Sequence, residues 1–362
     1  MKTLLRLLLK SQQQQNRSEP PQTEKGMTLI ELLIGTVMAF LILTPMLAFV
    51  VDMLNTDRRE QLKANTEQDI QAAVDFIAQD LSQAIYIYDN NFINQAAADG
   101  TPGIRAQLPN PVNGTPILVF WKRHQIRDAV SVVTTPAANR VLPINCDNTN
   151  LNPNNNPNAC NDAYVRSLVA YYQIKETDPR SIWCQPSGNP CPTRIARYEI
   201  REGVRNPNST NPNQPYYGIG EATQSQQVSQ GFNANFDFAQ PRLNVTQGGV
   251  FPPSDVLVNY VDHSQPIGIP IDPAECQTAL GNPADITGVN PTRIPETTLK
   301  IANLDNTNSF YACVDTSRNL AKVTIRGNSL RRLQSDANYN PNNSAFFPTA
   351  SVQVQGRGAK GQ

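Results

Sequence analysis

The sequence is poor in the side chains that most enzymes use to move protons and hold metals. It has two histidines, His124 and His263, and none of its six cysteines stands two residues from another, as in a zinc knuckle. It also lacks a phosphate-cradling glycine loop, a nucleophile elbow and a helix with paired histidines. Those absences remove the motif-defined enzymes and leave no metal set and no cofactor to expect. Scattered carboxylates could act as a glycosidase pair only if folding brought them together. Net charge is missing as well, with 30 basic and 30 acidic residues. A chain so balanced has no electrostatic footprint for nucleic acid.

Three weaker patterns are better read as loops. Gly218-Ile219-Gly220 lacks the flanking strand and helix of a dinucleotide site. Asp147 to Asn150 and Asp305 to Asn308 alternate oxygen ligands but lack the turn glycine and closing Glu of a calcium loop.

What the chain does have is unevenly placed. Lys2, Arg6, Lys10, Arg17 and Lys25 against Glu19 and Glu24 give the first 26 residues a net charge of +3, which the remainder offsets. Leu32 to Val51 then carries no formal charge over twenty residues, a helix of roughly 30 Å and so the thickness of a bilayer core. A cleaved secretory signal would have a shorter apolar run close behind its basic start, whereas here Ser11 to Lys25 intervenes. The basic flank places the N-terminus in the cytoplasm and the rest outside. Pro45, mid-span, removes a backbone hydrogen bond and is expected to kink the helix, with Thr44 able to cap the freed carbonyl; an ordinary tolerated membrane proline is the plainer alternative.

Glu31 lies four residues into the apolar stretch that begins at Met27. A carboxylate entering hydrocarbon costs on the order of a few kcal/mol and needs a partner. Cleavage after Gly26 would create one, the α-amino group of Met27 on a neighbouring copy. A plain single-pass anchor with an incidental acid is the simpler alternative.

Past the membrane, Ile70, Val74, Ile77, Leu81, Ala84 and Tyr88 recur at helical spacing and predict that one helix runs from about Thr28 to Tyr88, its far half packed against a sheet. After Asp89, short β-rich runs separated by Asn- and Pro-rich stretches predict strands at 117–121, 168–175, 194–201, 255–261, 310–314, 320–325 and 351–355. All six cysteines follow the apolar segment. An even set there points to disulfides in an oxidising compartment, and although six cysteines allow fifteen pairings, the expectation is sequential: Cys146 with Cys160, Cys184 with Cys191, Cys276 with Cys313.

The run Glu24-Lys25-Gly26-Met27-Thr28-Leu29-Ile30-Glu31-Leu32-Leu33 resembles the prepilin peptidase site of type IV pilins and type II secretion pseudopilins. That resemblance implies cleavage after Gly26, N-methylation of Met27 and an assembly role for Glu31. Met27 stands where the family most often has Phe, and 26 residues is long for the short-leader branch. More narrowly, Leu54 to Arg58, Gln71 to Leu81, Tyr86-Ile87-Tyr88 and Val119 to Arg123 look like the hormogonium polysaccharide secretion pseudopilins of filamentous cyanobacteria. The implied fold class is α+β, pilin-like: a long N-terminal transmembrane and spine helix on an antiparallel β-sheet head with long loops. The implied organisation is a leader at 1–26, an assembly helix at 27–53, an extramembrane amphipathic helix at 54–90, a β-rich head at 91–355 and a flexible tail at 356–362. The expected partners are a prepilin peptidase, other major and minor pilins and an inner-membrane assembly platform. The chain would be a non-enzymatic minor pseudopilin, single-pass in the inner membrane with a periplasmic head, in a filament supporting polysaccharide secretion and gliding. The alternative is an adhesin-like pilin that binds polysaccharide through Trp183, Tyr216 and Tyr217.

Overall fold

The computed structural model describes residues 26–131, 142–146, 160–212, 214–264, 272–285, 292–303 and 308–358. The expected leader up to Lys25, and the loops at 147–150 and 305–307, lie outside the described residues. The chain divides into two compact units, Met1–Arg58 and Arg59–Gln362, and the long helix α1, Leu29–Ser82, carries residues of both. The class is α+β, with antiparallel sheets throughout.

In the larger unit α1 becomes one-sided: Thr66, Ile70, Ala73, Val74, Ile77, Asp80 and Leu81 are buried. The expected stripe holds as far as Leu81, but the helix does not reach Tyr88. It stops at Ser82, and Ala84–Tyr88 is strand β1. The residues Ala84-Ile85-Tyr86-Ile87-Tyr88 alternate β-branched and aromatic side chains, which favours a pleated strand. The four-residue step from Ala84 to Tyr88 fits a period of 3.6 loosely and a period of 2 without remainder, so helical spacing alone could not separate the two.

Strands β1, β2 (Gly114–Ser131), β3 (Cys160–Lys175), β4 (Thr193–Arg201) and β5 (Asp255–Val261) form a five-stranded sheet in chain order. A second sheet, also in sequential order, contains β8 (Lys300–Ala302), β9 (Phe310–Asp315), β10 (Leu320–Arg326) and β11 (Thr349–Gln355). A small hairpin joins β6 (Ala284–Asp285) to β7 (Thr292–Arg293). The longest discrepancy with expectation is β2, which runs well past Trp121 by absorbing two register shifts, the second of them around Asp128 in a left-handed conformation (φ 48°).

The helix stripe and the inner faces of both sheets share one core, including Ile77, Leu81, Phe120, Val169, Phe310, Val323 and Ile325. The opposite face of the five-stranded sheet is covered by a segment without regular strands: Trp121 stacks on Phe236 at 4.3 Å, and its indole N–H donates to the Tyr88 hydroxyl at 3.1 Å. The Asn- and Pro-rich stretch after β4 therefore supplies core side chains, Phe232, Phe236 and Val245, as well as loops. Three disulfides join Cys146 to Cys160, Cys184 to Cys191 and Cys276 to Cys313. Arg331, fully buried, donates to the carbonyls of Pro186 and Pro190 and so ties the Cys184–Cys191 loop to the second sheet's neighbourhood. The described part of the expected tail is not loose: Gly356 N–H donates to Asn319 O at 2.9 Å and Gly358 N–H to Ala84 O at 3.1 Å. A Cβ at Gly356 would meet Ala84 O at 2.4 Å, which explains the glycine there.

Gly327, just after β10, allows a close approach to α1, since a Cβ there would meet Ile70 Cδ1 at 2.2 Å and Thr66 Cγ2 at 2.8 Å. Gly327→Ala is expected to destabilise the head by about 1–3 kcal/mol through overpacking. Adding Ile70→Val, which removes the clashing methyl, should recover part of that loss. Thermal melts of both variants check this, and simple additivity of the two substitutions would contradict it.

Candidate functional site

Two candidate groups of residues lie at the two ends of α1. At the N-terminal end Gly26, Met27 and Thr28 precede the helix and are exposed. Thr28 caps it: the Glu31 N–H donates to Thr28 O at 3.0 Å and lies 3.4 Å from Thr28 Oγ1. Thr at the cap with Glu three residues later is half of a capping box, and Glu31 in the first turn also favours the positive end of the helix dipole. The Thr-x-x-Glu spacing thus has a local helix-starting role beside any role in assembly. Among the described residues no cation forms an ion pair with Glu31.

From Gly26 to Gln61 every residue is exposed, including Leu29, Ile34, Phe40, Leu41, Leu47 and Phe49. Covered by no other described residue, this helix carries an apolar stretch long enough to cross a membrane. Pro45 sits inside this continuous helix. Thr44 Oγ1 donates to Phe40 O at 2.8 Å. The carbonyl that Pro45 leaves without its amide partner is that of Leu41, so Thr44 does not cap it as expected.

At the other end, Asp80 joins the helix to the five-stranded sheet. Its Oδ1 accepts from Lys122 Nζ at 2.9 Å, and its Oδ2 accepts from Arg197 Nε and the Tyr171 hydroxyl, each at 2.7 Å. Glu199 closes the set, 2.7 Å from Arg197 Nη2 and 3.3 Å from Lys122 Nζ. Two cations and two carboxylates are balanced in a largely buried position. Burial alone would push the Asp80 carboxyl up, but Lys122, Arg197 and Tyr171 together hold it below its ordinary value. Glu199 is likewise brought down to about 2, its burial outweighed by Lys122 and Arg197. Carboxylates held so firmly ionised are poor proton donors near neutrality, and the cluster's chemistry is positional. The sequence carries a signal for it: Arg197-Tyr198-Glu199 places both charges on one strand face, and Asp80 lies beside the buried helix positions Ile77 and Leu81.

The aromatic residues expected to contact polysaccharide are not equivalent. Trp183 is half-buried beside the Arg194 guanidinium, and Tyr216 is half-buried next to Arg205. Tyr217 is 3% exposed and belongs to a small core cluster with Val165 and Val204, so it offers no binding face. A cleft of about 790 Å³ lies between Tyr86, Phe92, the β6–β7 hairpin and the turn after β9. Its acids are engaged locally: Asp89 accepts from Phe92 N–H at 3.0 Å, and Asp315 pairs with Arg318. Gly218 and Gly220 lie in a turn closed by Glu221, whose carboxylate accepts from Gly218 N–H at 3.0 Å.

Among known proteins, no family model, curated protein or solved structure matches this chain.

The Asp80 cluster fixes a pH dependence. Glu199 has a folded pKa of about 2 against 4.5 for a free glutamate, and Asp80 is depressed too. A depressed folded pKa means stability that is complete above the unfolded value and is lost as pH falls through the folded one. Head stability is therefore expected to fall between about pH 4.5 and pH 2, less steeply in Glu199→Gln. Lys122→Met, which strands the buried acids, should cost about 3–5 kcal/mol at pH 7. Denaturant melts across pH check both, and a flat acid limb would contradict the assignment.

Proposed function

We propose that this chain is a pilin-like subunit, processed between Gly26 and Met27 and assembled through the N-terminal part of α1. The observation that carries the reading is a single juxtaposition. The sequence Lys25-Gly26-Met27-Thr28-Leu29-Ile30-Glu31, which resembles a prepilin peptidase site, runs into the start of a helix exposed without interruption to Gln61. An exposed peptide bond preceding a capped helix is accessible to a peptidase at the membrane surface. Removal of the preceding residues leaves a charged amine on Met27, a position that the resemblance implies is N-methylated.

The physical logic of assembly follows from Glu31. In lipid its carboxylate is costly unless matched, and a neighbour's Met27 amine would match it. The apolar flanks of the same helix would gain in a bundle the partners that no described residue gives them. On this reading the disulfide-bonded head lies on the periplasmic side of the inner membrane. The subunit works with other major and minor pilins and an assembly platform. The narrower resemblance to hormogonium polysaccharide secretion pseudopilins supports reading the filament as one for polysaccharide export and gliding, with a structural role for this chain.

N-terminal sequencing and intact-mass analysis, with and without a prepilin peptidase, test the reading. The expected mature start is Met27, lost when the peptidase is absent or when Gly26 is substituted. Glu31→Ala should still be cut but fail to enter filaments. An uncut chain, or cleavage beyond Val51, would overturn the proposal.

A further inference from the structure

The cleft of about 790 Å³ beside β1 is walled by pieces of chain that lie far apart in sequence. Strand β1 supplies Tyr86, the short helix Asn90–Asn94 supplies Asn91 and Phe92, and the β6–β7 hairpin supplies Thr292 and Arg293. Thr298 and the turn after β9 close the remaining sides. The volume falls within the range of about 300–1,000 Å³ that ligand pockets occupy.

Tyr86 is 8% exposed, and its hydroxyl makes no hydrogen bond to any described residue. A phenol nine-tenths buried normally has a partner, and because Tyr86 lines the cleft, one can reach it from there. Burial pushes the Tyr86 hydroxyl up, so it stays protonated near neutrality and can both donate and accept. The Asn91 amide and the Thr292 and Thr298 hydroxyls are likewise without hydrogen-bond partners among the described residues. Phe92, Ile294 and Pro295 give the same space an apolar surface.

Charge narrows the ligand. Asp315 is matched by Arg318, and the charges that remain are mixed: Asp89 and Asp285 disfavour an anion, and Arg293 disfavours a cation. An extended peptide would need a strand edge, and β6 and β7 offer two residues each. The complement of this cleft is uncharged, carries several hydroxyls that both donate and accept, and has C–H faces for the apolar surface. We propose that the cleft binds an uncharged saccharide, with the Tyr86 hydroxyl and the Asn91 amide bonding its hydroxyls. Neither cleavage at Gly26 nor filament assembly enters into this, so the inference goes beyond the pilin reading and either can fail without the other. It also differs from contact through Trp183 or Tyr216, since neither lines the cleft.

The test is binding of the full chain, in a detergent without a sugar headgroup, to an array of neutral and acidic oligosaccharides. Neutral glycans should be retained. Tyr86→Phe keeps the ring and removes the hydroxyl, and should weaken retention about tenfold. Its thermal melt should match that of the parent chain, because the hydroxyl has no partner in the fold. Asn91→Trp, which fills the cleft, should abolish retention, and Trp183→Ala should leave it unchanged. Retention of acidic glycans alone, or of no glycan, overturns the proposal. So does retention that is indifferent to Tyr86→Phe or lost in Trp183→Ala, and so does a lowered melt in Tyr86→Phe, which would give that hydroxyl a structural role instead.

Discussion

The buried ion cluster around Asp80 is the constraint on which the head depends. It stands where a helix must change from a rod exposed on all sides into one wall of a core. Apolar packing of Ile70, Val74, Ile77 and Leu81 supplies the larger part of the burial, but such contacts are non-directional and tolerate a shifted helix. Asp80 does not tolerate it, because its two oxygens need Lys122 on β2, Tyr171 on β3 and Arg197 on β4 together. Three adjacent strands are thereby referenced to one helical residue. A buried charge set of this kind contributes little net stability over a well-packed apolar equivalent, and its plausible use is to specify one arrangement over its neighbours.

Much of this was legible in the sequence, and the failures have identifiable causes. The strand at 255–261 matches β5, and the pattern found six others because turn residues bound them. β1 was hidden because its spacing from the helix stripe satisfies two periods at once. β2 extends beyond its expected end because Lys122 to Asp128 is charged or polar except at Ile126 and shows no strand alternation, while its pairing with β3 depends on a bulge that no local pattern announces. The stretch between β4 and β5 looked like connecting loop from its Asn and Pro content, yet its phenylalanines close the core over Trp121. Tyr217, expected as an aromatic residue to contact polysaccharide, is internal. The Asp80 cluster assembles residues from positions 80, 122, 171, 197 and 199, and only the Arg197–Glu199 step is visible along the chain.

The candidate processing site shows the opposite behaviour. Gly26, Met27 and Glu31 lie within six consecutive residues, so everything a peptidase would read is present in a short linear segment, and the structure adds the exposure of that segment and the Thr28 cap. Linear sites are legible in sequence for this reason, while sites built by folding are not.

Glu31 and Asp80 are both acids on one helix, and the contrast between them bears on what the chain requires from outside itself. Asp80 finds two cations and a phenol within its own fold and is held ionised there. Glu31 has a helix dipole and a capping role, but among the described residues no cation answers it, and the helix around it is uncovered from Gly26 to Gln61. Among the described residues, folding buries one stripe of the far half of α1 and pairs Asp80, and it neither pairs Glu31 nor covers the near half. A lipid bilayer corrects the apolar deficit alone, since it has no charge to offer at depth. A bundle of like helices, each given a free amine beside its own acid by the proposed cleavage, would correct both deficits together. That difference is why the proposed assembly role rests on Glu31 more than on the length of the apolar segment.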